Sequence, residues 1–306
     1  MKKLLIALAG IALLALGASW LIGRVVALFW SNEPIVRSGA QPWPGGLGTL
    51  DSVAQRVTPQ AANETSKKLT ALANARPMDV AAIRALLLRE PVVWGREGGV
   101  VEVGNQGTTD RRVVVMTIAR ALVADAVTTR SWDDLHAAFN LARSLDAQPE
   151  LMEQTAGLSI ARMINDVAWK MPLPAPAWLD ELEARDYVRP LLEAFQYQTA
   201  DYWQSGRMPT KWRAESAEED RRIAEAVFNE TRCDAHPPVN RNGSDLTPIW
   251  RRAFRYRAER EATANALRVR EGKPIDTHSR CSDGTWSFDG TTLRFSRDIG
   301  LALRVR

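Results

Sequence analysis

From about residue 58 to residue 171, apolar side chains recur with the period of an α-helix. The segment PMDVAAIRALLLRE carries four of them on one helical face: Val80, Ile83, Leu86 and Leu87. A preceding helix is predicted in TPQAANETSKKLTALANA, with Pro59 in its first turn. A longer helix is predicted from about Thr109 to Thr129. These segments predict consecutive helices joined by short connections.

The segment SWDDLHAAFNLARSL carries the clearest helix start. Ser131 and Asp134 have the spacing of a capping box. Five apolar residues follow at helical spacing: Leu135, Ala138, Phe139, Ala142 and Leu145. After a break at residues 146–149, another helix is predicted to run to Met171. Consecutive antiparallel helices with such short connections are typical of α-hairpin stacks.

Three prolines interrupt the helical pattern at Pro172, Pro174 and Pro176, so a subdomain boundary near residue 173 is one interpretation. The next helix groups large side chains in one stripe, which is more typical of a core than of a ligand site. The stripe consists of Leu191, Leu192, Phe195, Tyr202 and Trp203.

Two short β-hairpins are predicted. The segment VVWGREGGVVEV favours an internal hairpin at residues 92–103, and its glycines lack the Lys-Ser or Lys-Thr of a phosphate-binding loop. The segment WSFDGTTLRFS favours a C-terminal hairpin with a two-residue turn, in which Trp286 faces Leu293 and Phe288 faces Thr291. The predicted fold is therefore mainly α, with stacked antiparallel helices and two small hairpins.

The first thirty residues predict a membrane anchor. Lys2 and Lys3 precede residues 4–23, which carry no charge and would span about 30 Å as a helix. A cleaved signal peptide is the alternative, because residues 17–19 are small. The lysines favour a cytoplasmic N-terminus, which predicts a single pass of the bacterial inner membrane through residues 4–30 and a body in the periplasm.

Three regions follow from this organisation: an anchor at residues 1–30, a Pro/Gly-rich spacer at 31–57 and a helical extracytoplasmic body at 58–306. Trp43, between two prolines of the spacer, is expected either at the lipid interface or packed on the body.

The segment WDDLHAAFNLARSLDAQPELMEQTAGLSIARMI, followed by ANALRVREGKP and a terminal strand pair, resembles bacterial membrane-anchored proteins with a tetratricopeptide-like helical middle. Trp132 and Leu135 fit the tetratricopeptide pattern, although no repeat of about 34 residues recurs along the chain. The resemblance implies an architecture and brings no catalytic residue or cofactor with it.

Both cysteines and two of the three histidines lie in the segments CDAH and HSRC. Thiolate and imidazole are zinc ligands, so Cys233, His236, His278 and Cys281 form one candidate metal set. In an oxidising compartment a Cys233–Cys281 disulfide is the favoured interpretation, and unpaired thiols are a third. His136 is interpreted as a residue at the flank of its helix.

The chain carries a formal net charge of +4, and residues 247–306 hold thirteen Lys/Arg against seven Asp/Glu. The predicted helix TPIWRRAFRYRAEREATANALRVREG concentrates five of its arginines within ten residues: Arg251, Arg252, Arg255, Arg257 and Arg260. One interpretation is contact with an anionic lipid or cell-wall polymer. The other is a solvated basic face on a helix that packs through Trp250, Phe254, Ala258 and Leu267.

The sequence contains no convincing nucleophile motif of the Gly-x-Ser-x-Gly or Ser-x-x-Lys type. The acid pairs Asp133/Asp134 and Glu150/Glu153 are interpreted as solvated helix-start acids. No catalytic residue, metal or cofactor is assigned, and no nucleic-acid partner is expected.

The leading hypothesis is a membrane-tethered interaction or scaffolding module with a protein partner. The alternative is a membrane-tethered periplasmic hydrolase.

Membrane topology gives the first prediction. A reporter that is active only outside the cytoplasm, fused after Arg306, should be active, because the two N-terminal lysines hold the N-terminus inside. The protein should stay in the membrane fraction after a salt wash. Release of a soluble form that begins near Trp20 would instead identify a cleaved signal peptide.

Overall fold

The computed structural model of the protein describes residues 17–27, 38–96, 106–204, 209–238, 245–297 and 299–305. Within them the fold is mainly helical, with a small three-stranded antiparallel sheet near the C-terminus. A 3-10 turn at Pro44–Gly46 comes before the helices of the body. The helices are α1 (Leu50–Arg56), α2 (Glu64–Asn74), α3 (Val80–Arg89), α4 (Gln106–Thr129), α5 (Trp132–Arg143), α6 (Leu151–Ala168), α7 (Trp178–Ala184), α8 (Val188–Gln204), α9 (Thr210–Phe228) and α10 (Thr247–Arg270), and the strands are β1 (Trp286–Phe288), β2 (Thr292–Phe295) and β3 (Ala302–Arg304).

The predicted anchor at residues 1–30 lies mostly outside the described residues. Its described part, residues 17–27, is helical and exposed. Among the helices of the described ranges, none has both the length and the apolar character needed to cross a membrane. The anchor and the periplasmic location stay predictions.

The centre of the body is formed by α4, α5 and α6, each of which packs on the other two. The apolar face predicted for α5 is confirmed, because every member is buried: Leu135, Ala138, Phe139, Ala142 and Leu145. Helix α3 packs on α4 and α5, whereas α6 also contacts α8 and α10. One hydrophobic core joins residues on both sides of residue 173, and the subdomain boundary there stays a prediction.

An ion pair between Arg84 and the buried Asp134 ties α3 to the start of α5. The Ser131 hydroxyl accepts a hydrogen bond from the backbone N–H of Asp133 at 3.2 Å, as a helix cap does. Asp134 does not complete the predicted capping box. Its fully buried carboxylate accepts hydrogen bonds from Arg84 at 2.8 Å and from the Thr129 hydroxyl at 3.2 Å. The prediction that Asp134 is solvated is wrong, because this helix end is packed inside the body.

Helix α2 begins later than the sequence pattern suggests. Pro59 lies before it, and the Asn63 side chain caps its first turn. The residues around Pro59 are extended, because Gln60 pairs with Arg96 through backbone hydrogen bonds of 2.8 and 3.0 Å. The internal hairpin predicted at residues 92–103 falls mostly on residues outside the described ones.

The described part of the predicted spacer, residues 38–57, packs on the body. Trp43 is 3% exposed, and its ring lies 5.7 Å from that of Phe195 in an edge-to-face contact. Leu47 and Leu50 are buried as well, and α1 packs on α8. Of the two locations expected for Trp43, packing on the body is the observed one.

Helix α10 lies between two hydrophobic cores. Trp250, Phe254 and Tyr256 are fully buried in the large core of the helical body. A second core forms under the C-terminal sheet, and the part of α10 that enters it consists of Ala258, Ala262 and Ala266. The alanines recur every four residues, so they form one stripe along the helix. Their small side chains allow the sheet to approach the helix closely.

The C-terminal hairpin is present, with a register different from the predicted one. Trp286 pairs with Phe295 and Phe288 pairs with Leu293. The register is displaced by two residues, and a displacement by two keeps each side chain on the same face of the sheet. Trp286, Leu293 and Phe295 are accordingly buried against α10, as the alternation predicts.

The Asp289 side chain accounts for the displaced register. Its Oδ1 atom accepts hydrogen bonds from the backbone N–H groups of Thr291 and Thr292 at 2.9 and 2.7 Å. The backbone N–H of Asp289 donates to the Thr292 oxygen at 3.2 Å, so the two-residue turn lies at Gly290 and Thr291, one residue later than predicted. These hydrogen bonds lower the pKa of Asp289 to about 2. A third strand, β3, pairs with β2, and its three residues were too few to be recognised from the sequence.

The predicted disulfide between Cys233 and Cys281 is present, with a Cα–Cα distance of 5.5 Å. Asp283 reinforces it, because its carboxylate accepts hydrogen bonds from the backbone N–H groups of Cys233 and Asp234 at 3.0 and 3.1 Å. The loop after α9 is therefore fixed to the segment that leads into β1.

Removal of this disulfide gives the second prediction. The Cys233→Ser/Cys281→Ser double variant should lose about 2–4 kcal/mol of unfolding free energy, since a bridge across 48 residues restricts the unfolded chain. Denaturant unfolding of the full-length protein in a neutral detergent measures the loss. A dithiol reductant should destabilise the wild type and leave the variant unchanged. Equal stability of the variant and the oxidised wild type would refute the prediction.

Candidate functional site

The five arginines in the first half of α10 fall into two groups. Arg251 and Arg252 are exposed and Arg255 is half-buried. Arg257 donates a hydrogen bond to the backbone oxygen of Glu230 at 2.7 Å, and Arg260 is 5% exposed. Arg257 and Arg260 therefore hold the body together, and the other three are available to contact a ligand.

A cavity of about 570 Å³ lies beside the first turns of α10. We call it the arginine cavity, after the four arginines in its lining: Arg162, Arg251, Arg252 and Arg255. Arg162 comes from α6, and Ile299 comes from the segment before β3. The loop fixed by the disulfide supplies another wall, residues 233–235. Oxidation of the cysteines thus contributes directly to the shape of the site.

Glu259 orients two of the four arginines. Its carboxylate accepts two hydrogen bonds from Arg162, from Nε and Nη2, both at 2.6 Å. The same carboxylate lies 2.9 Å from Nε of Arg255. These hydrogen bonds raise the pKa of Arg162, so its guanidinium keeps its charge. A paired guanidinium on each side of a buried carboxylate has little freedom to move.

Arg251 and Arg252 form no ion pair with any residue of the described ranges. Two acidic side chains, Asp234 and Asp245, also line the cavity, so its lining carries more positive than negative charge. The Asp245 carboxylate accepts a hydrogen bond from the backbone N–H of Thr247 at 2.9 Å. Thr247 also lines the cavity, and hydrogen bonds from its side chain and its backbone lower the pKa of Asp245.

A second cavity, of about 420 Å³, offers fewer free charges. It is lined by Arg185 and Asp146, which form an ion pair with each other, and by Glu193, which pairs with Arg189 at 3.1 Å. Arg96 in the same lining donates hydrogen bonds to backbone oxygens, one of them that of Thr58. The arginine cavity is the better candidate, because two of its cations are unpaired.

The candidate zinc set is not assembled. The sulfur atoms of Cys233 and Cys281 are bonded to each other. The His278 side chain is 93% exposed, and His236 is exposed too. Within the described residues, no three metal-ligating side chains come together.

His136 stacks on Trp178 with ring centroids 5.1 Å apart, and burial lowers the pKa of His136.

Glu153 differs from the prediction of a solvated acid. It is fully buried in α6, and its carboxylate lies 3.4 Å from Arg111 without accepting a hydrogen bond from a described residue. Burial raises its pKa to about 7. Burial also raises the pKa of Glu183, in α7, to about 7. Neither carboxyl lines the arginine cavity.

No protein family, curated protein or solved structure matches this chain. The chemistry of the arginine cavity therefore has to be inferred from its own residues. Arg162 could not be found from the sequence, because it lies 97 residues before its partner Glu259 and in no recognisable motif. The cluster of arginines in α10 was the only sequence signal of the site.

Replacement of Glu153 gives the third prediction. Its raised pKa means that ionisation of Glu153 costs more free energy in the folded than in the unfolded protein. The contribution of Glu153 to the unfolding free energy is therefore fully present below pH 4.5 and is lost as the pH rises through 7. Relative to the wild type, Glu153→Gln should gain roughly 3 kcal/mol of unfolding free energy between acidic and alkaline pH. Denaturant unfolding across that range measures the change.

Exposed Glu215 on α9 provides the matched control. The Glu215→Gln variant removes a carboxylate that is already solvated, so its pH profile should follow that of the wild type. A Glu153→Gln profile parallel to the wild type would contradict the third prediction.

Proposed function

We propose that this protein is a membrane-tethered extracytoplasmic interaction module that binds an anionic partner through the arginine cavity. The observation that supports this role best is the pair of unpaired guanidinium groups of Arg251 and Arg252 at the opening of the cavity. Unpaired surface cations attract an anionic partner over several ångströms and then form charge-assisted hydrogen bonds with it.

The character of the lining favours binding over catalysis. Guanidinium groups stay protonated at every physiological pH, so Arg162, Arg251, Arg252 and Arg255 hold an anion without exchanging protons with it. A hydrolase would use a titrating acid or base beside its substrate. The two carboxyl groups whose pKa is raised to about 7, Glu153 and Glu183, lie on α6 and α7 outside this lining.

Rigidity of the site also suits an interaction module. Glu259 holds the guanidinium groups of Arg162 and Arg255, and the disulfide holds the wall at residues 233–235. A preformed site orders few side chains when a partner binds, so less conformational entropy opposes the association. Tethering to the membrane would raise the effective concentration of any partner on the same surface.

Site-specific photocrosslinking in cells gives the fourth prediction. A photoreactive amino acid in place of Arg252 should form an adduct, because that side chain is exposed at the cavity opening. The same residue in place of Arg120, an exposed arginine of α4, should not. Electrophoresis of the tagged full-length protein after illumination detects the adducts.

Charge reversal at the neighbouring arginine sharpens this test. Arg251→Glu should abolish the adduct at position 252, since it repels an anionic partner. Equal adducts at positions 252 and 120, or persistence of the adduct after Arg251→Glu, would refute binding of an anionic partner at this site.

A further inference from the structure

We infer that the arginine cavity is a binding site for a phosphate group carried by a hydroxyl-bearing molecule, of which glycerol phosphate is the simplest example. This inference rests on the proposed function, since it names the chemistry that the same site recognises. It follows from the charge of the lining, the arrangement of its donors and its volume.

The number of acceptor oxygens distinguishes a phosphate from a carboxylate at this site. The described lining carries four arginines and two aspartates, and Glu259 adds a third negative charge against Arg162 and Arg255. The remaining positive charge attracts an anion of either kind, so the preference for phosphate rests on its additional oxygens.

The donors come from several directions, as a tetrahedral group requires. Arg162 enters from α6, whereas Arg251, Arg252 and Arg255 come from α10. Arg251 and Arg252 each present a planar fork of N–H groups that fits two phosphate oxygens, whereas Arg162 and Arg255 keep only the N–H groups that Glu259 does not occupy. A planar carboxylate, with only two oxygens, would use fewer of these donors.

Helix α10 adds the positive end of its dipole to the cavity but offers almost no free backbone N–H group to a ligand. Its 24 residues begin at the cavity, which places the positive end of the helix dipole there. The backbone N–H of Thr247 already donates to Asp245, and Pro248 has none. The side chains therefore make the contacts, so substitutions can test them directly.

The volume and the two acids indicate the rest of the ligand. The cavity of about 570 Å³ is large enough for a small organic molecule attached to the phosphate. Asp234 and Asp245 carry carboxylate oxygens in the lining, and these can accept hydrogen bonds from hydroxyl groups. A glycerol attached to the phosphate supplies such hydroxyls. It occurs both in soluble glycerol phosphate and in the headgroup of phosphatidylglycerol.

Calorimetric titration of the full-length protein in phosphatidylcholine nanodiscs tests the inference. Glycerol phosphate should bind at one site at low ionic strength. Glycerate, which keeps the hydroxyls and replaces the phosphate by a carboxylate, should bind about tenfold more weakly or worse, since it offers fewer charge-assisted hydrogen bonds. Equal affinity for the two ligands would overturn the assignment to phosphate.

Two variants separate the site from general charge. Arg251→Ala/Arg252→Ala should weaken binding of glycerol phosphate by about tenfold or more. The matched control Arg120→Ala/Lys211→Ala removes two exposed charges outside the cavity and should bind as the wild type does. Equal weakening by the control and the cavity variant would overturn the inference.

Separate measurements identify the source of the phosphate and test the proposed function. Phosphatidylglycerol in the nanodiscs should compete with soluble glycerol phosphate if the lipid headgroup enters the cavity, and absence of competition assigns the site to a soluble or polymeric ligand. No binding of glycerol phosphate, with the crosslink at position 252 intact, overturns the phosphate inference alone. Loss of both results overturns the proposed function too.

Discussion

Burial of α10 on two sides is the constraint on which the rest of the structure depends. Trp250, Phe254 and Tyr256 enter the large helical core, whereas an alanine stripe that includes Ala258 and Ala262 enters the core under the sheet. A helix buried on two sides positions both cores relative to each other. Arg251 and Arg252 are exposed in its first turns, before the part of the helix that the sheet covers, and Arg268 is exposed in its last turn.

The position of the arginine cavity follows from this arrangement. Arg251 and Arg255 continue the alanine stripe toward the start of the helix, because residues three and four apart share one face. The C-terminal sheet covers that face at Ala258 and beyond, and the cavity lies where the cover ends, beside Ile299. Arg257 and Arg260 lie on the face that enters the helical body, so the helix separates binding arginines from structural ones.

Sequence patterns predicted the helices and strands better than the contacts between distant residues. The α5 face, the extent of α10 and the disulfide follow from local spacing and from the count of cysteines, and all three are present. The burial of Asp134 and Glu153 did not follow, because each depends on an arginine of a distant helix, Arg84 or Arg111. Asp289 shifted the hairpin register through hydrogen bonds that β-alternation does not encode. For the same reason Arg162, the contribution of α6 to the cavity, carried no sequence signal.

The buried carboxylate of Glu259 is best understood through the site it organises. An ion pair removed from water gains little net stability, because desolvation of both groups offsets their attraction. Glu259 nevertheless faces Arg162 and Arg255, whose guanidinium groups it fixes at the floor of the arginine cavity. These charges are therefore desolvated when the chain folds, before any partner binds. Two cations are already aligned when Arg251 and Arg252 meet an anion, which is the arrangement that a preformed binding site requires.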